Sequence, residues 1–177
     1  MANSHCEAPP DSGLPGSLPI LAVLGAGRAT VEEEQVAERV GELAARCGRV
    51  VLTGGGPGVM AAASRGAVGA GGLTVGVLPV AESDANYPNP WVRIPLFTGS
   101  GMARNAFNVL SAHLCVAVGG GAGTLSEIAM ALKAGVTVWC WRSWGLTPPA
   151  DRTIHLRSFE DPDDLLAALE AEFLRNR

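Results

Sequence analysis

Lysine is almost missing from this 177-residue chain. Lys133 stands alone, and the 12 arginines are scattered rather than clustered. With a formal net charge of −4, the sequence lacks the basic face of a nucleic-acid binder, and no nucleic-acid partner is expected. The four cysteines, Cys6, Cys47, Cys115 and Cys140, form no CxxC pair and no metal-ligand spacing, so no bound metal is expected. No apolar run approaches the roughly 18–20 residues that span a bilayer, and the opening residues carry no charged-then-apolar export signal. A cytoplasmic protein without a membrane partner is the expectation, with its thiols reduced. Charged residues are only 17% and aromatics 5% of the chain. Against 47% hydrophobic residues, that composition excludes an intrinsically disordered chain. The 23 glycines follow no G-X-Y period, which excludes collagen.

What is present is alternation. Residues 1–17, with Pro9, Pro10 and Pro15, read as a flexible tail, and 18–177 as one domain. From there, short apolar runs at Ile20–Leu24, Val50–Thr53, Leu73–Leu78, Val92–Phe97, Leu114–Val118 and Val136–Trp141 alternate with helical patterns. Those patterns lie near 31–47, 58–70, 101–112, 124–134 and 162–175. Continuous apolar strands separated by helices indicate a parallel sheet covered on both faces. The fold class is therefore α/β, a doubly wound, Rossmann-like sheet of about six strands. Thr30-Val-Glu-Glu33 is a capping box with Gly48 beyond the helix end, and Asp161-Pro162 opens the last helix.

In such sheets ligands bind beyond the carboxyl ends of the strands, which directs attention to the strand-to-helix loops. Gly25-Ala-Gly27-Arg-Ala-Thr30 keeps two glycines of a dinucleotide fingerprint, and strand two ends in Thr53 rather than the acid that holds a ribose. It reads either as a tight turn or as a ligand contact at Gly25. Thr53-Gly54-Gly55-Gly56-Pro-Gly-Val-Met60 admits a close approach by a ligand or by another backbone. Val118-Gly119-Gly120-Gly121-Ala-Gly123-Thr124-Leu-Ser-Glu127 leaves a buried strand for a helix. Its glycines expose amides where the helix dipole favours an anion, and the Thr124 hydroxyl can join the same phosphate. No Gly-Lys-Ser/Thr follows, so it is not a Walker loop.

Two readings of Glu127 stand. Thr124-x-x-Glu127 is a capping box in form, while a carboxylate beside a phosphate cradle marks a functional group. A further entry, Thr98-Gly99-Ser-Gly-Met102-Ala-Arg104-Asn105, places Arg104 one turn into its helix, toward the crevice or toward solvent. Arg65 and His113 read as structural. Trp139, Trp141 and Trp144 read as a helix-packing or subunit-interface group.

Together the Gly-rich loops and the Arg104 helix resemble the LOG (lonely guy) superfamily, long misnamed lysine decarboxylases, which includes the molybdenum-cofactor carrier proteins. The resemblance covers about residues 18–142. The family's PGGxGTxxE motif matches Gly119–Glu127 with Gly119 for proline, and its M-x-x-R-K helix matches Met102-Ala-Arg104 with Asn105 for lysine. His113 stands where the hydrolase branch has Asp. Thr53–Met60, Asn86–Pro90, Thr98-Gly99 and Arg104-Asn105 look closer to the carrier-type branch.

That resemblance implies a binding or carrier protein for a phosphorylated small molecule, either molybdenum cofactor or a nucleoside monophosphate. The contacts it implies come from Gly25, Gly54–Gly56, Thr98, Gly99, Met102, Asn105, Gly119–Gly121, Gly123 and Thr124. The alternative it implies is a metal-free phosphoribohydrolase cleaving the N-glycosidic bond of purine or cytokinin nucleoside 5′-monophosphates. Glu127 would then stabilise the oxocarbenium-like ribosyl and handle the attacking water, with Arg104 orienting ligand and carboxylate. No cofactor is required for that catalysis. Either branch implies a homodimer or homotetramer.

Overall fold

The computed structural model describes residues 17–148, 150 and 154–175; the expected tail, residues 1–16 with Cys6, falls outside them. Seven parallel strands form one sheet: β1 (Ile20–Gly25), β2 (Val50–Thr53), β3 (Thr74–Leu78), β4 (Ile94–Phe97), β5 (Leu114–Val118), β6 (Thr137–Trp141) and β7 (Leu156–Phe159). Their order, β4-β3-β2-β1-β5-β6-β7, reverses direction between β1 and β5. This is the doubly wound, Rossmann-like α/β architecture, with seven strands where about six were expected. β7 escaped the pattern because Leu-Arg-Ser-Phe alternates weakly and its middle residues are exposed at the sheet edge.

Helices α1 (Val31–Arg46), α2 (Val59–Gly69) and α5 (Pro162–Arg175) cover one face, and α3 (Arg104–Leu110) and α4 (Ala122–Lys133) the other. The period-2 alternation of the strands sorts the core accordingly. Leu21, Val23, Val116, Trp139 and Trp141 face α1 and α5, while Ala22, Leu24, Cys115, Ala117 and Cys140 face α3 and α4. Trp139 and Trp141 thus pack against helices, while Trp144 is exposed. Trp139 stacks at a tilt on Phe159, 5.4 Å between ring centroids, and Trp141 is fully buried.

The expected caps form. Glu33 N–H donates to Thr30 Oγ1 at 3.2 Å while Thr30 N–H donates to Glu33 Oε2 at 2.7 Å. Asp163 N–H donates to Asp161 Oδ1 at 2.7 Å. Arg65 pairs with Glu38 across α1 and α2 through two bonds of 2.8 and 2.9 Å, and His113 Nδ1 accepts from Ile20 N–H. Both are structural, as expected. Among the described residues, no helix is long and apolar enough to cross a membrane.

Candidate functional site

The strand-order reversal opens a crevice between the ends of β1 and β5, and the chain builds a cavity of about 540 Å³ there. One wall is the start of α4. Its N-cap is Gly121, no side chain caps it, and no acid occupies its first turn. The amides of Ala122, Gly123 and Thr124 are therefore open, with the positive end of the helix dipole behind them. A Cβ added to Gly121 or Gly123 meets nothing within 4 Å, so a side chain there would fill the space an anion would take.

The preceding glycines serve the backbone instead. Gly119 and Gly120 have φ of +53° and +104°. A Cβ on Gly119 would run into the Glu33 carboxylate, and one on Gly120 into Thr124 Oγ1. Proline, locked near φ −65°, has no place at 119 in this backbone. The loop is tied down by Gly119 N–H donating to the Trp141 carbonyl and by Trp144 Nε1–H donating to the Gly121 carbonyl at 3.1 Å.

Glu127 lies one helical turn beyond Gly123 and is 6% exposed. It does not cap its own helix, because α4 begins at Ala122 and places Thr124 inside the first turn. Instead Asn108 Nδ2–H donates to Glu127 Oε1 at 2.8 Å, and Arg104 Nη1 stands 3.7 Å from the same oxygen. Burial pushes the Glu127 carboxyl above its ordinary value; the Asn108 bond and the Arg104 charge hold it down in part. Next to it Cys115 is pushed up to about 12, mainly by burial and further by Glu127, which makes it a protonated core thiol rather than a nucleophile.

Arg104 reaches this position across the β2–α2 loop. A Cβ on Gly54 would stand 1.8 Å from Arg104 Nη1, so the missing side chain at 54 is what admits the guanidinium. Asn105 Nδ2 donates to Ser126 Oγ at 3.2 Å, and Ser126 Oγ donates to the Gly123 carbonyl at 2.7 Å, which ties α3 to the first turn of α4.

Of the residues singled out in the sequence, Gly25, Arg104, Asn105, Gly121, Gly123, Thr124 and Glu127 line the one cavity. Gly54, Gly55 and Gly56 lie buried in the loop beneath it, and Gly119 and Gly120 shape its backbone. Thr98, Gly99 and Met102 do not line it. Thr98 Oγ1–H donates to the Leu78 carbonyl at 2.7 Å, and Met102 is 88% exposed. Sequence reasoning gave no role to Asn108, whose signal was its place four residues after Arg104, on the same helical face. Met60, Asn86 and Tyr87, singled out in the sequence only within segments that resemble the carrier-type branch, line the cavity too. Among the described residues, no group of three His, Cys, Asp or Glu is placed to hold a metal ion.

Known proteins share this fold and much of this sequence. The chain is 41% identical over 145 residues to an uncharacterized protein of Archaeoglobus fulgidus, covering 81% of this chain and 89% of that one. The molybdenum cofactor binding protein of Rippkaea orientalis superposes with a TM-score of 0.76 at 34% identity, over 89% of this chain and 98% of the other. The molybdenum cofactor carrier protein of Chlamydomonas reinhardtii gives 0.75 at 35% identity, over 90% and 99%. The SLOG cluster4 family model matches residues 18–169, and the chain belongs to that family.

Proposed function

We propose that the protein binds and carries a phosphorylated small molecule, molybdenum cofactor or a nucleotide, with its phosphate at the start of α4. The observation that carries this reading is the uncapped α4 N-terminus opening into the cavity that also holds Arg104. A phosphate there gains open amides, the helix dipole and a nearby guanidinium, and needs no lysine. The solved relatives named above, which bind or carry molybdenum cofactor, support the same reading.

The residues present suit such a group. The space at Gly121 and Gly123 accepts a phosphate, and Asn86, Asn105 and Glu127 offer donors and acceptors to a polar ring system. At about 540 Å³ the cavity has the size of ordinary small-molecule sites. Bound molybdenum cofactor would supply redox chemistry only after delivery elsewhere. This chain's part is to hold the phosphate and orient the ring system in the cavity.

A second reading rests on Glu127: a buried carboxylate with a raised pKa, in the same cavity as a phosphate cradle, is also what a nucleoside-monophosphate phosphoribohydrolase would use. A thermal-shift screen with inorganic phosphate, AMP, GMP and molybdenum cofactor, followed by chromatography for free base, separates the two. Ligand at about 100 times its dissociation constant adds about 2.7 kcal/mol of apparent stability. Stabilisation without released base supports a carrier. Base release that Glu127→Ala abolishes supports the hydrolase.

The functional form in this proposal is a homodimer or homotetramer in the cytoplasm, where the buried thiols Cys115 and Cys140 stay reduced. With Trp139 and Trp141 in the core, its contact surface is the exposed apolar set Leu96, Met102, Phe107 and Leu110 on β4 and around α3.

A further inference from the structure

Arg104 has two claims on it. It stands 3.7 Å from Glu127 Oε1, close enough to pair with the carboxylate but too far to hydrogen-bond, and both side chains are nearly buried. Its guanidinium donors therefore stay open to an anion. The cavity it lines also takes in the start of α4, where the phosphate reading puts that anion. Glu127 lies one turn further along the same helix, about 6 Å from Gly123 along the axis.

The charged groups that line the cavity are Arg28, Arg104 and Glu127. By themselves they sum to one positive charge, and a phosphate dianion turns the balance to one negative. A like charge within about 6 Å disfavours the ionised carboxylate, and in a nearly buried site water screens it little. Other ionisable groups near Glu127 cannot correct the balance. Of the elements packed against α4, α3 brings Arg104, β5 brings Cys115, β6 brings Cys140, and β1 brings none. Burial pushes the Cys115 thiol up to about 12 and the Cys140 thiol up to about 11, so both are already protonated. Tyr87 adds a phenol to the cavity, and Lys133 lies at the far end of α4. Glu127 is the group that can answer, and burial has already moved it part of the way.

We infer that Glu127 and the bound phosphate compete for Arg104, so that binding brings one proton from solvent onto Glu127 and release returns it. Asn108 Nδ2–H occupies Oε1, so the proton goes to Oε2. This inference rests on the phosphate reading above and adds a control on how tightly the site holds its ligand. The linkage is reciprocal: if the anion favours the proton, the proton favours the anion by the same factor. Affinity is highest at low pH and falls, by up to tenfold per pH unit, between the values at which the free and the loaded protein release that proton. A protonated carboxyl cannot take a proton from water, so the loaded protein holds its ligand without a general base.

The test is calorimetric titration of the parent and of Glu127→Gln with sulfate and with GMP, from about pH 5 to about pH 8, in pairs of buffers of different ionisation enthalpy. Sulfate keeps its charge over that range, so a proton taken up with it belongs to the protein; the titration of GMP itself cancels between parent and variant. The parent is expected to take up as much as one proton per ligand more than Glu127→Gln. Its affinity should fall at least about tenfold further across the range. Asn108→Leu strips the carboxylate of the donor that holds it down and should move that fall to higher pH, a readout that does not depend on Glu127→Gln folding. Equal proton counts and superimposed pH profiles for parent and Glu127→Gln, or a profile that Asn108→Leu leaves in place, overturn the linkage and leave the phosphate cradle standing. If neither sulfate nor GMP binds the parent at any pH, the phosphate reading falls and the linkage with it.

Discussion

Asn108 Nδ2, on α3, lies 2.8 Å from Glu127 Oε1, on α4, and this bond across two helices fixes the one buried carboxylate of the cavity. Asn108 is fully buried, and its Oδ1 has no partner among the described residues. Asn108→Leu leaves the carboxylate short of a donor and is expected to cost about 1–3 kcal/mol in urea denaturation. Glu127→Leu removes the charge that needed it. The double variant should therefore be more stable than the two single losses sum to, with a coupling of about 0.5–3 kcal/mol. Strict additivity would mean the bond contributes nothing to the fold.

The same carboxylate gives stability a pH dependence of known sign. Burial raises Glu127 above its ordinary value of 4.5, so over that window the folded protein holds a proton the unfolded chain has released. Stability from this group is fully present below the unfolded value and is lost as pH rises through the folded one. Glu127→Gln has no such titration. Its stability relative to the parent should climb as pH rises above 4.5 and then level off. A difference that stays flat with pH would place the folded carboxyl at its ordinary value.

Gly121→Asp should move stability and binding in opposite directions. Gly121 has φ −103° and ψ −158°, which an ordinary residue adopts, and its Cβ position opens on free space. Asp is a good N-cap, so α4 should gain a few tenths of a kcal/mol. The same carboxylate would take the place proposed for the phosphate, and binding of inorganic phosphate or a nucleoside monophosphate should vanish in calorimetry. Normal binding by the variant would move the anion site away from α4.

Oligomerisation is expected to depend on the outer side of α3. Leu110 is 66% and Phe107 50% exposed, while the inner side of that helix carries Asn105 and Asn108. Leu110→Glu should shift sedimentation velocity at micromolar concentration toward the monomer. Identical profiles for parent and variant would assign the contact to another face, and a monomeric parent would remove the oligomer.

The fold was legible because each strand is a short apolar run bounded by a capped helix or a glycine turn. β7 was not, since an edge strand with two exposed polar residues carries little signal. At the site, the uncapped start of α4 could be read from Gly121 and Gly123, because a glycine-led helix start with no capping side chain follows from the local sequence. The role of Glu127 could not. The spacing Thr124-x-x-Glu127 mimics a capping box, and only the helix start at Ala122 shows that the carboxylate turns to Asn108 instead. Gly54 was read as a possible ligand contact, whereas its bare face admits Arg104, a pairing across 50 residues that no local pattern encodes. The tryptophans left two readings open, helix packing or a subunit interface, and Trp139 and Trp141 take the first: aromatic density marks burial, and strand alternation alone does not say whether a helix or a second subunit provides it.

The most direct measurement is to incubate the pure protein with a stoichiometric amount of the phosphorylated ligand that stabilises it most, and to analyse bound and free fractions by chromatography over several hours. For a carrier, the ligand is recovered intact from the protein fraction, and Gly121→Asp retains none. Steady accumulation of free base in the parent, abolished in Glu127→Ala, would contradict carriage and make the protein a phosphoribohydrolase.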